Sequence, residues 1–193
     1  MKKVLVIDNY DSFTYNLVHI LRELGLDEQL EVHRNDKISV EYVDEFERIL
    51  LSPGPGLPKD AGIMPEVIKK YSESKSILGV CLGHQGIAES FGADLFNLPT
   101  VFHGVKTETR LTEVSDVLFD SLPEVFDVCR YHSWAVTPGT LPGSLAVTAV
   151  DQAGNIMALK HKSLKVRGVQ FHPESIMTEH GIKMMENWIS EKL

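Results

Sequence analysis

Val4-Leu5-Val6-Ile7 is an unbroken apolar run, the pattern of a strand buried on both faces of a parallel sheet. Polar turn residues from Asp8 to Ser12 end it, with Asp11 or Ser12 placed as an N-cap. Phe13, Leu17, Ile20, Leu21 and Leu24 then mark one face of a helix that stops at Gly25. The order repeats further on. Leu30 to His33 reads as a second strand, a short helical segment is expected within Ile38 to Asp44, and Phe46 to Leu51 reads as a third strand. Ala61 to Ser72 has helical spacing, Ser76 to Val80 is a fourth strand, and Leu82, Ile87, Ala88 and Phe91 give the next helix its apolar face. Strands alternating with helices predict a doubly wound α/β fold, a mostly parallel central sheet flanked by helices.

From Asp94 to Val150 the pattern changes to short apolar pieces broken by Pro and Gly: Leu111, Val117 to Phe119, Val128, Val136 to Pro142 and Leu145 to Val150. These predict a smaller antiparallel or mixed sheet at one edge of the main sheet. Ala153-Gly154-Asn155 is a hairpin turn leading into Ile156 to Lys160. Lys165 to Phe171 reads as the last strand, and Gly181 to Ile189 as a helix with Ile182, Met185 and Ile189 facing inward. Leu98 to Gly104 is apolar for a connection, which makes it either a buried crossing or an exposed contact for a partner.

At 193 residues, with no linker-like run, the chain reads as one domain spanning 1–193. Its net charge of -8 speaks against binding a nucleic-acid backbone. Met1-Lys2-Lys3 precedes only four apolar residues before Asp8, too few for an export segment or a membrane span. The two cysteines differ in context and suggest no disulfide framework, so the cytoplasm is the expected compartment.

Candidate chemistry gathers where strands end. Cys81 sits where the fourth strand turns into a helix, with Gly79 and Gly83 on either side, the layout of a nucleophile elbow. There the free N–H groups of a helix start favour a thiolate and can hold an oxyanion. Cys129, in an alternating segment without a glycine turn, reads as packing. Ser52-Pro53-Gly54-Pro55-Gly56 follows the third strand; no Gly-Lys-Ser/Thr follows it and its prolines remove two donors, so it is not a phosphate loop. It is a stiff turn that lets a ligand approach bare backbone. His172 and Glu174 lie two apart on an extended segment held by Pro173, hence on one side of the chain, where the carboxylate can orient the imidazole toward the thiol. Together they predict a Cys-His-Glu triad. No paired Cys-x-x-Cys accompanies His172 and Glu174, and His84, His103, His132 and His161 show no metal-ligand spacing, so no metal is expected and these four read as surface, packing or supporting residues.

Gly-Val-Cys-Leu-Gly-His-Gln at 79–85, Ser-Pro-Gly-Pro-Gly at 52–56 and Gly-Val-Gln-Phe-His-Pro-Glu-Ser at 168–175 together resemble the triad-type (class I) glutamine amidotransferases. Asp-Asn-Tyr-Asp-Ser-Phe-Thr-Tyr-Asn at 8–16 narrows the resemblance to the small glutaminase subunit of anthranilate synthase or of aminodeoxychorismate (p-aminobenzoate) synthase. The resemblance implies a flavodoxin-like fold and hydrolysis of L-glutamine through a γ-glutamyl thioester on Cys81, with His172 as base and then acid and Glu174 as its orienter. It implies Gly54, in a loop with Pro55, and Leu82 as backbone oxyanion donors, and Gly56, Gln85, Ser133 and Trp134 as residues that hold glutamine. Many relatives carry a smaller or aliphatic residue at Trp134 and a basic one at Val105, which bears on the pocket and the partner surface. Ammonia is mostly protonated in neutral water, so it must pass through a dry route to an acceptor that this chain has no room for. The expected partner is therefore a chorismate-binding synthase subunit (component I), met through Tyr10 and the stretch Pro99, Phe102 and His103. No cofactor is expected in this chain, and Mg2+ only in the partner. The alternatives are a γ-glutamyl cysteine hydrolase acting alone and a non-catalytic regulatory module on the same fold.

Overall fold

β1 (Val4–Asp8) is buried along its whole length, as an apolar run with no polar face requires. The computed structural model describes residues 3–193; Met1 and Lys2 of the short basic start lie outside the described residues. Around β1 the chain adds α1 (Thr14–Glu23), β2 (Leu30–Arg34), β3 (Arg48–Leu51), α2 (Met64–Tyr71), β4 (Ser76–Val80) and α3 (Leu82–Ser90). Then come β5 (Leu95–Asn97), β6 (Val105–Leu111), β7 (Val125–Arg130), β8 (Trp134–Val136), β9 (Leu145–Asp151), β10 (Ile156–His161), β11 (Val166–Val169) and α4 (Gly181–Ser190). The main sheet has the order β2-β1-β3-β4-β11-β10-β9-β6-β7, and β5 pairs with β8 in a separate two-stranded sheet.

The first five strands in that order are parallel and the remaining pairings antiparallel. The antiparallel half is thus mostly a continuation of the parallel sheet, with β5 and β8 alone forming the small separate sheet. Alternation along the parallel strands sorts two cores. Val4, Val6, Leu50, Leu78 and Val80 pack with Leu17, Leu21, Met184, Met185 and Trp188 of α1 and α4. Leu5, Ile7, Ile49, Leu51 and Ile77 pack with Val67, Ile68, Ile87 and Ala88 of α2 and α3. Helices therefore cover both faces of the parallel half, and its strand ends open at one edge, where α/β sheets carry their sites.

Several sequence expectations shift in the structure. Neither Asp11 nor Ser12 caps α1: Phe13 occupies the cap position with no side-chain bond, while Asp11 Oδ1 accepts from the Phe13 N–H at 2.7 Å within the preceding turn. Ile38 to Asp44 contributes only a 3-10 turn at Glu41–Glu45, and α2 begins at Met64 after another at Pro58–Asp60. Val117–Phe119 is a 3-10 turn capped by Asp116, whose Oδ1 accepts from Leu118 N–H at 3.1 Å. Its three apolar residues are a local plug, not a strand. Val136 to Pro142 holds only the end of β8 and a 3-10 turn at Pro138–Thr140, because proline removes the ladder donor. Ile182 is 56% exposed, whereas Met185 is buried and Ile189 packs partly buried against the same core as expected; Met184 and Trp188 complete the inner face of α4. Leu98 to Gly104 divides, with Leu98 buried and Val101 65% exposed. Among the described residues no helix is long and apolar enough to cross a membrane.

Candidate active site

β4 and β11 lie side by side in parallel, with Val80 opposite Val169, so the loops that leave them start from neighbouring points. The Cys81 N–H donates to Val169 O at 2.8 Å, fixing that junction. Cys81 then takes φ 52 and ψ -98, a left-handed turn that a non-glycine residue rarely adopts. Its flanking glycines are needed for a different reason: a Cβ at Gly79 would stand 2.4 Å from the Gly83 carbonyl, and one at Gly83 would stand 2.5 Å from Leu51 O. Only bare backbone lets the first turn of α3 settle on β4 and β3 so that the cysteine projects over the sheet edge.

Three residues beyond Val169, His172 is 2% exposed and its Nδ1 lies 2.7 Å from Glu174 Oε1, whose side chain is 1% exposed. The loop is clamped from both sides, since the His172 N–H donates to Cys129 O at 3.0 Å and Thr178 Oγ1 donates to His172 O at 2.6 Å. Tyr131 and Phe13 present ring edges to the imidazole, with centroids at 5.1 and 5.7 Å. Burial alone disfavours the imidazolium, but the Cys81 sulfur and the Glu174 carboxylate outweigh it and push the His172 pKa up to about 10. Nε2 closes no hydrogen bond of good geometry with protein, and is the ring nitrogen left for the thiol. The sulfur and the ring interact without a formed bond between them. Such an arrangement can serve as a proton donor beside a sulfur nucleophile.

The other predicted residues surround the sulfur unevenly. Leu82 opens α3, and Gly54 packs so close to it that an added Cβ would sit 2.8 Å from Leu82 Cδ2, which brings the Pro-Gly loop over the helix start. Pro55 and Gly56 stand exposed at the tip of that loop. Ser133 and Trp134 are half-buried, and Gln85 Nε2 donates to Trp134 O at 2.8 Å. Since that amide group is committed within the protein, Gln85 has its Oε1 to offer a ligand. Cys129 is buried, as expected of packing. Tyr10, 46% exposed at φ 64, donates its hydroxyl to Asp36 at 2.7 Å, on the far side of the Pro-Gly loop. Pro99 and His103 are exposed, whereas Phe102 folds back over the Arg130 guanidinium at 3.6 Å and stacks on His132.

A cleft of about 700 Å³ lined by Phe13, Tyr131, His172, Glu174, Met177 and Ile182 opens on the imidazole side. A second, of about 370 Å³, lies beyond the Pro-Gly loop and includes Asn9, Tyr10, Pro55 and Leu82. Among the described residues no cluster of three or more His, Cys, Asp or Glu side chains is arranged to hold a metal. Sequence reasoning missed Gln170, fully buried with Nε2 3.5 Å from Cys81 Sγ, and the ring wall of Phe13 and Tyr131. For Gln170 a signal existed: an amide stands between the apolar Val169 and Phe171 at the end of the predicted strand.

The family model described as "Glutamine amidotransferase class-I" matches residues 5–192. The chain is 46% identical over 188 residues to the aminodeoxychorismate/anthranilate synthase component 2 of Bacillus subtilis, covering 96% of this chain and 95% of that protein. It is 47% identical over 190 residues to anthranilate synthase component 2 of Azospirillum brasilense, covering 97% and 95% respectively. The crystal structure of a Thermoplasma acidophilum protein assigned to GMP synthase superposes with a TM-score of 0.87 at 28% identity, over 98% of this chain and 92% of that one.

Proposed function

The chain belongs to the class-I glutamine amidotransferases, and from that footing we propose that it is the glutaminase component of a chorismate-using synthase, making ammonia from L-glutamine for anthranilate or 4-amino-4-deoxychorismate. The observation that carries the chemistry is the pairing of His172 Nδ1 with Glu174 at 2.7 Å, which leaves Nε2 for a cysteine held at a helix N-terminus. Cys81 sulfur attacks the side-chain amide carbon. The resulting oxyanion is held by the backbone N–H groups of Gly54 and Leu82, the second of them an unpaired donor of the helix start. His172, entering as imidazolium, gives its Nε2 proton to the departing nitrogen, which leaves as ammonia. The now neutral imidazole takes a proton from water, whose oxygen opens the γ-glutamyl thioester to glutamate and regenerates the thiolate–imidazolium pair.

The wider role is supported by the names of the component 2 relatives in Bacillus subtilis and Azospirillum brasilense, which imply a first component. Tyr10, Pro99 and His103 are exposed on loops near the site and are the proposed points of contact with it. Purified with a chorismate-binding component I, the chain should show weak glutaminase activity alone that rises when partner and chorismate are added. The product identifies the pathway. Full activity alone, unmoved by the partner, would make the chain a stand-alone hydrolase. Cys81→Ser should lower glutamine-dependent turnover by roughly a thousandfold or more; retention of turnover would overturn the mechanism.

A further inference from the structure

A chain of hydrogen bonds runs from a buried ion pair to the nucleophile, and its polarity can be read link by link. Arg130 is 1% exposed and its Nη1 donates to Asp151 Oδ2 at 2.7 Å. A guanidinium only donates, so where Arg130 Nε meets His132 Nε2 at 3.0 Å that nitrogen must accept. The His132 proton is then on Nδ1, which donates to Trp134 O at 2.8 Å. The same carbonyl accepts from Gln85, so the Gln85 amide presents its NH2 group there. That NH2 also reaches Gln170 Oε1 at 3.1 Å. With its oxygen taken, Gln170 has only Nε2 to turn toward Cys81 Sγ, at 3.5 Å. No link in this series can be reversed without setting two donors or two acceptors against each other.

We propose that Gln170 is a positioning residue for the glutaminase reaction, a directed N–H donor that holds the Cys81 sulfur and stabilises its anionic form, its orientation set by the Trp134 carbonyl through the Gln85 amide, with Arg130 and His132 bracing that carbonyl from its other side. The inference rests on Cys81 being the nucleophile but not on the partner or the pathway. The contact supplies something the triad lacks. His172 reaches the sulfur as a charge that leaves with the product nitrogen, whereas the Gln170 amide keeps its hydrogen through the cycle. It is therefore in place when the thiolate is re-formed on thioester hydrolysis.

The test is the pH dependence of Cys81 alkylation by iodoacetamide, followed by mass spectrometry without glutamine or partner. The titratable groups that bear on the sulfur are His172 with Glu174 behind it; Tyr131 meets the sulfur through its backbone carbonyl, and His84 lies along α3. Gln170→Glu keeps the acceptor for Gln85 and the side-chain shape while replacing the donor at sulfur with a carboxylate. Its alkylation profile should move to higher pH, with the rate at pH 7 falling about tenfold or more. Gln170→Met, which removes the donor without adding charge, should shift the profile in the same direction by less. A merely structural amide would change the melting temperature and leave the midpoint in place. An unshifted midpoint in a folded Gln170→Met variant, which adds no charge of its own, would overturn the proposal. Failure of the underlying mechanism reads differently: alkylated wild-type protein would still hydrolyse glutamine.

Discussion

Replacing His84 with leucine should remove a measurable part of the protein's sensitivity to acid. His84 is fully buried on α3, and neither ring nitrogen closes a sound hydrogen bond. Burial pulls its pKa down to about 4, opposed only partly by the Gly168 backbone. In the unfolded chain the imidazole takes up its proton near 6.5. Acidification through that window protonates the unfolded chain while the native one stays neutral, so native stability falls from about pH 6.5 down to about 4. Between pH 7 and pH 5 the loss from His84 comes to about 2 kcal/mol. His132, pulled down to about 3 by burial and by the Arg130 charge, adds a loss of about 2 kcal/mol over the same range. His172 works the other way: with a native value near 10, its stabilisation is complete below 6.5 and is lost as pH rises toward 10. It returns about 1 kcal/mol between pH 7 and pH 5. Urea unfolding at both pH values, in wild type and His84→Leu, isolates the His84 contribution, because any packing cost of leucine cancels in the difference. The variant should lose about 2 kcal/mol less than wild type on acidification. Parallel losses would refute a neutral, buried His84.

Glu174→Gln, which leaves His172 without a carboxylate behind it, should lower kcat for glutamine roughly a hundredfold while KM changes little, as steady-state kinetics will show. Gly181 opens α4, and a Cβ there would stand 1.8 Å from Pro173 O, so Gly181→Ala must push the catalytic loop aside. Its kcat should fall more than about tenfold although no triad atom is changed. Arg48 is fully buried in β3, and its Nη2 donates to Ile189 O at 3.0 Å and to Glu191 O. Arg48→Met should cost about 2 kcal/mol in chemical unfolding, because it removes both of those charge-assisted bonds to the end of α4.

The parallel half was legible because its strands are apolar on both faces and its helices carry one apolar stripe each. The three side chains of the proposed triad could be picked out for a related reason, since Cys81 directly follows one such strand and His172 and Glu174 lie in the loop that leaves another. The antiparallel half was less so. β6, with the sequence Val105-Lys-Thr-Glu-Thr-Arg-Leu111, lies near the outer edge with much of one face in water, and its polar residues hid all but Leu111. Val117–Phe119 failed in the opposite sense, because three apolar residues cannot say whether they cross a sheet or close a turn. Ile182 misled because helical spacing fixes a face but not where the underlying core begins. The link from Arg130 to Gln170 was beyond reach, as it joins three separated segments through directions that only coordinates supply.

The backbone at Cys81 carries a consequence for how this protein tolerates change. At φ 52 and ψ -98 a side chain is held in a conformation that costs roughly 1–3 kcal/mol and that glycine adopts far more readily. Loss of the sulfur should thus come with a gain in robustness: a library sorted for heat resistance alone would drift toward Cys81→Gly and discard its chemistry. Selection for turnover has to be applied continuously to keep a reactive residue where the polymer would rather have none.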